Sequence, residues 1–110
     1  MISSDVIRGY NDTIILCLLL EGESYGYEIS KQISARSEGK YIIKETTLYS
    51  AFTRLEKNGF IVSRQGGDES GGKRRTYYSI TQEGRQYYAE KREEWNLTKE
   101  VINIFIKEIE

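Results

Sequence analysis

Apolar residues recur along this chain first at helical spacing, then in short β-prone runs, then at helical spacing again. Ser3 or Ser4 can cap a first helix, predicted over residues 5–20, in which Val6, Ile7, Tyr10, Ile14 and Leu18 follow at helical intervals. Near its end this helix turns apolar all round, as a central core element should, and Gly22 can take the left-handed conformation that stops it. Ser24 is then expected to cap a second helix over residues 25–36, with Tyr25, Ile29 and Ile33 on one face. The connection is short, so the two helices pack as neighbours. A break follows at residues 37–40, and Tyr41-Ile42-Ile43 is expected to form a very short strand. A third helix is predicted over residues 45–58. Leu48, Ala51, Phe52 and Leu55 make its apolar stripe, and Thr46, Thr47, Ser50, Thr53, Arg54 and Lys57 its other side. Three short helices with tight connections form a helix-turn-helix core.

The period then changes. Residues 60–65 and 74–80 are rich in β-formers, and four glycines in the eight residues between them predict a flexible hairpin tip. This is a two-stranded wing with Lys73, Arg74 and Arg75 at its base. Thr81 caps the last element, with Glu83 in its first turn where negative charge is favourable. The helix can run nearly to the C-terminus, about 28 residues or about 42 Å. So long a helix cannot bury itself on so small a domain. Tyr88, Trp95, Ile102 and Ile109 recur every seven residues with Phe105 between them, and Leu97, Val101, Ile104 and Ile106 widen the stripe. That pattern needs a partner helix, and a second copy is the simplest supply. The expected fold is mainly α with a small β-hairpin: a winged helix-turn-helix over residues 1–80 and a C-terminal dimerisation helix over residues 81–110.

Composition narrows the function. The chain's 110 residues, 38% hydrophobic and 30% charged, fit one ordinary globular domain. The longest apolar run, residues 14–20, falls far short of the roughly 20 residues that span a bilayer. The N-terminus has no signal-peptide pattern, so a cytoplasmic protein without membrane association is expected. The one cysteine, Cys17, lies within that apolar run and reads as a buried small hydrophobe. With no histidine, imidazole catalysis and most zinc sites are excluded, and the acidic residues are scattered over solvated faces. No enzyme, cofactor or metal is expected. The net charge of −1 argues against a nucleic-acid binder, but its distribution matters more. Residues 40–75 carry eight basic and four acidic side chains, residues 81–110 five basic and seven acidic.

Four stretches carry a family resemblance. They are Ile14-Ile15-Leu16-Cys17-Leu18-Leu19 followed by Gly22; Tyr25-Gly26-Tyr27-Glu28-Ile29; Thr47-Leu48-Tyr49 through Leu55-Glu56-Lys57-Asn58-Gly59-Phe60-Ile61; and Tyr77-Tyr78-Ser79-Ile80-Thr81-Gln82-Glu83-Gly84. In this order and spacing, over residues 8–85, the chain resembles a PadR-family transcriptional regulator of the short type with one C-terminal helix. The resemblance implies a homodimeric repressor that binds a palindromic operator in double-stranded DNA. It implies release by a small, often aromatic molecule or another signal. Some short members hold planar aromatic compounds between tryptophans of the last helix. Trp95 stands at a similar place, as a ligand contact or as packing of the dimer seam.

A recognition helix presents short polar and basic groups to the major groove. Thr46, Thr47, Ser50, Thr53 and Arg54 suit that task, with Lys44 ahead of them; Arg54 would meet guanine or only phosphate. By analogy with the family, the hydroxyl of Tyr49 would meet the backbone. Lys73, Arg74 and Arg75 would meet phosphates or the adjacent minor groove, although strand alternation turns one of Arg74 and Arg75 away. Tyr88, Trp95, Ile102, Phe105 and Ile109 are the expected dimer contacts. Most of the nine tyrosines lie on amphipathic elements and serve packing. Two other readings stand beside the repressor: a winged-helix protein-interaction module that never touches DNA, and a small-molecule binder whose DNA activity is secondary.

Overall fold

The computed structural model describes residues 2–70 and 73–106, with only the backbone at 67–70, 73 and 74. Short helix α1 (Ser4–Ile7) leads through a 3-10 turn (Arg8–Tyr10) into α2 (Asn11–Leu19). Ser3 is the cap, its Oγ accepting from the Val6 amide at 3.3 Å. The continuous helix expected over residues 5–20 is thus tightened at Gly9, a weak helix former, and α2 restarts at Asn11. Asn11 is buried, and its side-chain oxygen accepts a hydrogen bond from the Tyr41 hydroxyl. Gly22, at φ 142°, turns the chain after α2.

Ser24 does not cap a helix. With Tyr25 it forms a two-residue strand, β1 (Ser24–Tyr25), and α3 (Gly26–Arg36) begins with Tyr25 as an N-cap that makes no side-chain cap bond. Its backbone groups are used in pairing instead, Ser24 opposite Tyr78 and Tyr25 opposite Tyr77. Tyr25 therefore leaves the face on which Ile29 and Ile33 are buried. Tyr41-Ile42-Ile43, the expected strand, is irregular: Ile43 fills the core, and Ser37 Oγ both receives the Tyr41 amide and donates to its carbonyl.

Helix α4 (Glu45–Lys57) buries Leu48, Ala51, Phe52 and Leu55, the stripe its sequence predicts. Strands β2 (Ile61–Ser70) and β3 (Lys73–Ile80) form the antiparallel wing, with β1 on the far side of β3, in the order β1-β3-β2. The pairing runs from Ile61 opposite Ile80 to Gln65 opposite Thr76, then shifts register between Gln65 and Asp68 and again before Ser70. The strands thus extend into the stretch expected to be a tip. Gly66 is what lets them: a side chain there would run into the Tyr77 ring.

One core gathers Ile15, Leu16 and Leu19 of α2, Ile29 and Ile33 of α3, the α4 stripe, Ile61 and Tyr78. Phe52 stacks on Tyr78 at 4.0 Å between centroids, which fastens α4 to the wing. Helix α5 (Gln82–Phe105) starts at Thr81, whose Oγ1 accepts from the Gly84 amide at 3.0 Å and donates to the Gly59 carbonyl at 2.7 Å. The helix has 24 residues, about 36 Å of axis, and gives the molecule its longest dimension of 58 Å. Its first turns are anchored by Tyr87, stacked on Phe60 at 4.2 Å. Beyond Lys91 nearly every residue is exposed.

Candidate nucleic-acid interface and helix groove

The face of α4 opposite its core stripe is polar. Lys44, Thr46, Ser50, Thr53 and Lys57 are exposed there, and Thr47 is half-buried on one flank. Thr53 turns its hydroxyl back onto the helix, donating to the Tyr49 carbonyl at 3.0 Å. On the other flank, Tyr49 lies edge-on to Phe52 at 5.5 Å between centroids. The tip of its ring rests on Gly26, where an added Cβ would lie 2.5 Å from the hydroxyl. A glycine in the first turn of α3 thereby gives the Tyr49 ring its place.

Arg54 differs from the other predicted contacts. Its guanidinium makes two hydrogen bonds to Asp12 of α2, at 2.9 and 2.5 Å. That carboxylate raises an already high pKa, the hydrogen bond contributing most. The forked group that would read guanine is engaged within the protein, where it ties α4 to α2. Two similar pairs brace the domain. Arg64 of β2 holds Glu23 at 2.8 and 2.6 Å, and Arg36 of α3 holds Glu21 at 2.6 Å through each of two nitrogens. In both, the hydrogen bond from arginine is the chief reason the carboxyl pKa lies below its ordinary value.

In the wing, Arg75 lays its guanidinium over the Tyr25 ring, 4.4 Å from the centroid. The backbones of Lys73 and Arg74 lie in β3, while their side chains fall outside the described residues. The predicted contacts are therefore not one surface. Thr46, Ser50, Thr53 and Tyr49 share the exposed side of α4, Arg75 flanks it beside Tyr25, and Arg54 belongs to an internal bridge.

A second concave feature involves the N-terminal segment. A groove of about 740 Å³ runs between the N-terminal segment and α5, its walls mainly Val6, Ile7, Tyr10, Ile14, Tyr88 and Trp95. Trp95 meets Tyr10 edge-on at 5.1 Å, and Lys99 lies 5.8 Å above its ring. Of the expected dimer contacts, Tyr88, Trp95 and Ile102 line this groove. Phe105 is 78% exposed outside it, and Ile109 falls outside the described residues. The sequence pattern does not distinguish the N-terminal wall, because Val6, Ile7 and Tyr10 read there as one side of an ordinary core helix and Ile2 lies ahead of the predicted helix. Cys17 is only half-buried, and the interaction of its side chain with the Tyr88 hydroxyl is the main reason the Tyr88 pKa is raised, with burial next.

Among the described residues no helix is long and apolar enough to cross a membrane. The protein-family model described as "Transcriptional regulator PadR-like family" matches residues 15–90, from within α2 into α5. The chain belongs to the PadR-like family of transcriptional regulators. Within that PadR-like frame, a transcriptional regulator from Clostridium thermocellum is 65% identical, with a TM-score of 0.90 over 97% of this chain and 100% of its own. Protein X of Lysinibacillus sphaericus, itself uncharacterized, is 48% identical over 110 residues, the full length of both chains. Bacillus subtilis PadR, solved in complex with operator DNA, is 25% identical, with a TM-score of 0.65 over 72% of this chain and 44% of that one.

Proposed function

We propose that this regulator is a homodimeric repressor that binds a specific duplex operator. Helix α4 enters the major groove, and the wing lies along the flanking backbone. The observation that carries the reading is the face of α4: Thr46, Ser50, Thr53 and Lys57 are exposed opposite a fully buried stripe. Short hydroxyl side chains on a rigid helix can approach base edges closely, and a lysine beside them meets phosphate. The complex of Bacillus subtilis PadR with operator DNA supports the same use of the fold.

Dimerisation follows from α5. A helix with Trp95, Leu97, Val101, Ile102 and Ile104 all partly or largely exposed has more apolar surface than its own domain covers. A second copy laid along it would hold two α4 helices at a fixed spacing, so the operator would be palindromic. The groove beside Trp95 offers a planar aromatic effector a site at that interface, which would couple its binding to the spacing of the two halves.

Fluorescence anisotropy tests the DNA reading, using the purified chain, the DNA upstream of its own gene and a scrambled competitor at two salt concentrations. Binding that resists the competitor and weakens with salt is expected, because phosphate contacts release counterions. No binding even at low salt would favour a winged-helix module for protein partners, which the net charge of −1 also fits.

A further inference from the structure

On α5, Arg92 stands three residues before Trp95 and Lys99 four after it, so one face of the helix carries all three side chains. All three line the groove of about 740 Å³, and no carboxylate does. We propose that this groove selects its effector by charge: it takes planar fused-ring aromatic anions, and Arg92 and Lys99 discriminate them from neutral or cationic rings of the same shape. This selectivity presupposes the effector site proposed above and names the class of ligand that fills it.

The charges of α5 are sorted around its axis. From Tyr88 to Asn103 the helix carries Glu90, Glu93, Glu94 and Glu100 against Lys91, Arg92 and Lys99, an acidic balance. Yet both charges on the groove are positive. Lys91 lies off the groove and is paired with Glu94 at 3.0 Å. Among the described residues Arg92 and Lys99 join no ion pair. The Lys99 ammonium lies instead 5.8 Å from the centre of the Trp95 ring. An anionic ring set against Trp95 gains both cations, whereas a cationic ring meets two like charges. The chain's net charge of −1 works against an anion. Exposed charges beyond the Debye length, about 8 Å at physiological salt, are largely screened, so the pair beside Trp95 decides.

Shape narrows the class further. Trp95 is 42% exposed and Val6 65%, so the groove keeps open apolar surface for a ring to cover. Tyr10 meets Trp95 edge-on at 5.1 Å, which fixes the plane against which a flat ligand would lie. The groove volume falls in the range of sites for drug-sized ligands, roughly 300–1,000 Å³, and exceeds what a single ring fills.

The test uses the full chain and its only tryptophan, Trp95, whose fluorescence reports on the groove. Three probes share one fused-ring skeleton: naphthoate, naphthamide and naphthylmethylammonium. At neutral pH naphthoate is expected to bind roughly tenfold more tightly than the amide, and the ammonium more weakly than either, with the gap narrowing as salt rises. Arg92→Gln and Lys99→Gln are each expected to cut the preference roughly threefold, the scale of one exposed charge contact, while the amide's affinity stays unchanged. Glu100→Gln alters the net charge by one unit off the groove and should leave the preference as it is. Equal affinity for carboxylate and amide, or a preference that survives both glutamine substitutions of the cations, would overturn charge selection while leaving an aromatic effector site intact. No change in Trp95 fluorescence with any of the three probes would overturn both.

Discussion

At Gly84 the first turn of α5 runs so close to the chain leaving α4 that an added Cβ would lie 2.1 Å from the Phe60 carbonyl oxygen. Backbone cannot move aside as a side-chain tip can. Gly84→Ala is therefore expected to destabilise the fold by about 2 kcal/mol through overpacking, read as a lower midpoint in chemical denaturation. Gly26 differs, because the atom it would meet is the end of the Tyr49 ring. Alanine there should cost DNA affinity more than stability. Both glycines belong to stretches that carry the family resemblance, so their importance was legible in the sequence. The reason for each was not: close approach between segments 24 or 23 residues apart in the chain leaves no local pattern.

Among the elements, those with strong internal periodicity formed as their residues predict. Helix α4 and its stripe are one case, and α5 with its Thr81 cap is another. Thr81→Ala should cost about 1 kcal/mol for the lost cap, and it also removes the hydroxyl's bond to Gly59. Where tertiary partners decide, the local reading failed. Ser24 carries a capping side chain, yet β3 takes up its backbone as a third strand. Tyr41-Ile42-Ile43 has strand composition, yet Ile43 is used as packing and Tyr41 as a donor to Asn11. The link between Glu23 and Arg64 joins the start of β1 to β2 and has a pH signature. Arginine lowers the Glu23 pKa from 4.5, so its stabilisation is fully present above that value and fades as pH falls through the lower folded one. Glu23→Gln should be less stable than wild type at neutral pH. In acid below the carboxylate range the two denaturation midpoints should converge, and a gap that persisted there would count against this assignment.

At the scale of the whole molecule, a domain that closes one core also extends a helix beyond it. The distal half of α5 is apolar on more than one side: Trp95 and Ile102 turn toward the groove, and Leu97, Val101 and Ile104 are exposed elsewhere on its surface. If a second copy covers this surface, Ile102→Glu places a charge in the seam without touching the core. Sedimentation should then show a monomer with unchanged helix content, whereas a dimer of wild-type affinity would remove the groove from the interface. Periodicity and turn chemistry by themselves determined the order of helices and wing, the stripe of α4 and the excess apolar surface of α5. These are properties of residues near one another in the chain, and helix and strand periods record them directly. Only the tertiary structure decided that Arg54 is held by Asp12, that β1 joins the sheet, and that an N-terminal segment forms the second wall of the Trp95 groove. Each of these pairs groups distant in sequence, and the burial or pairing that fixes them exists only once the core has closed.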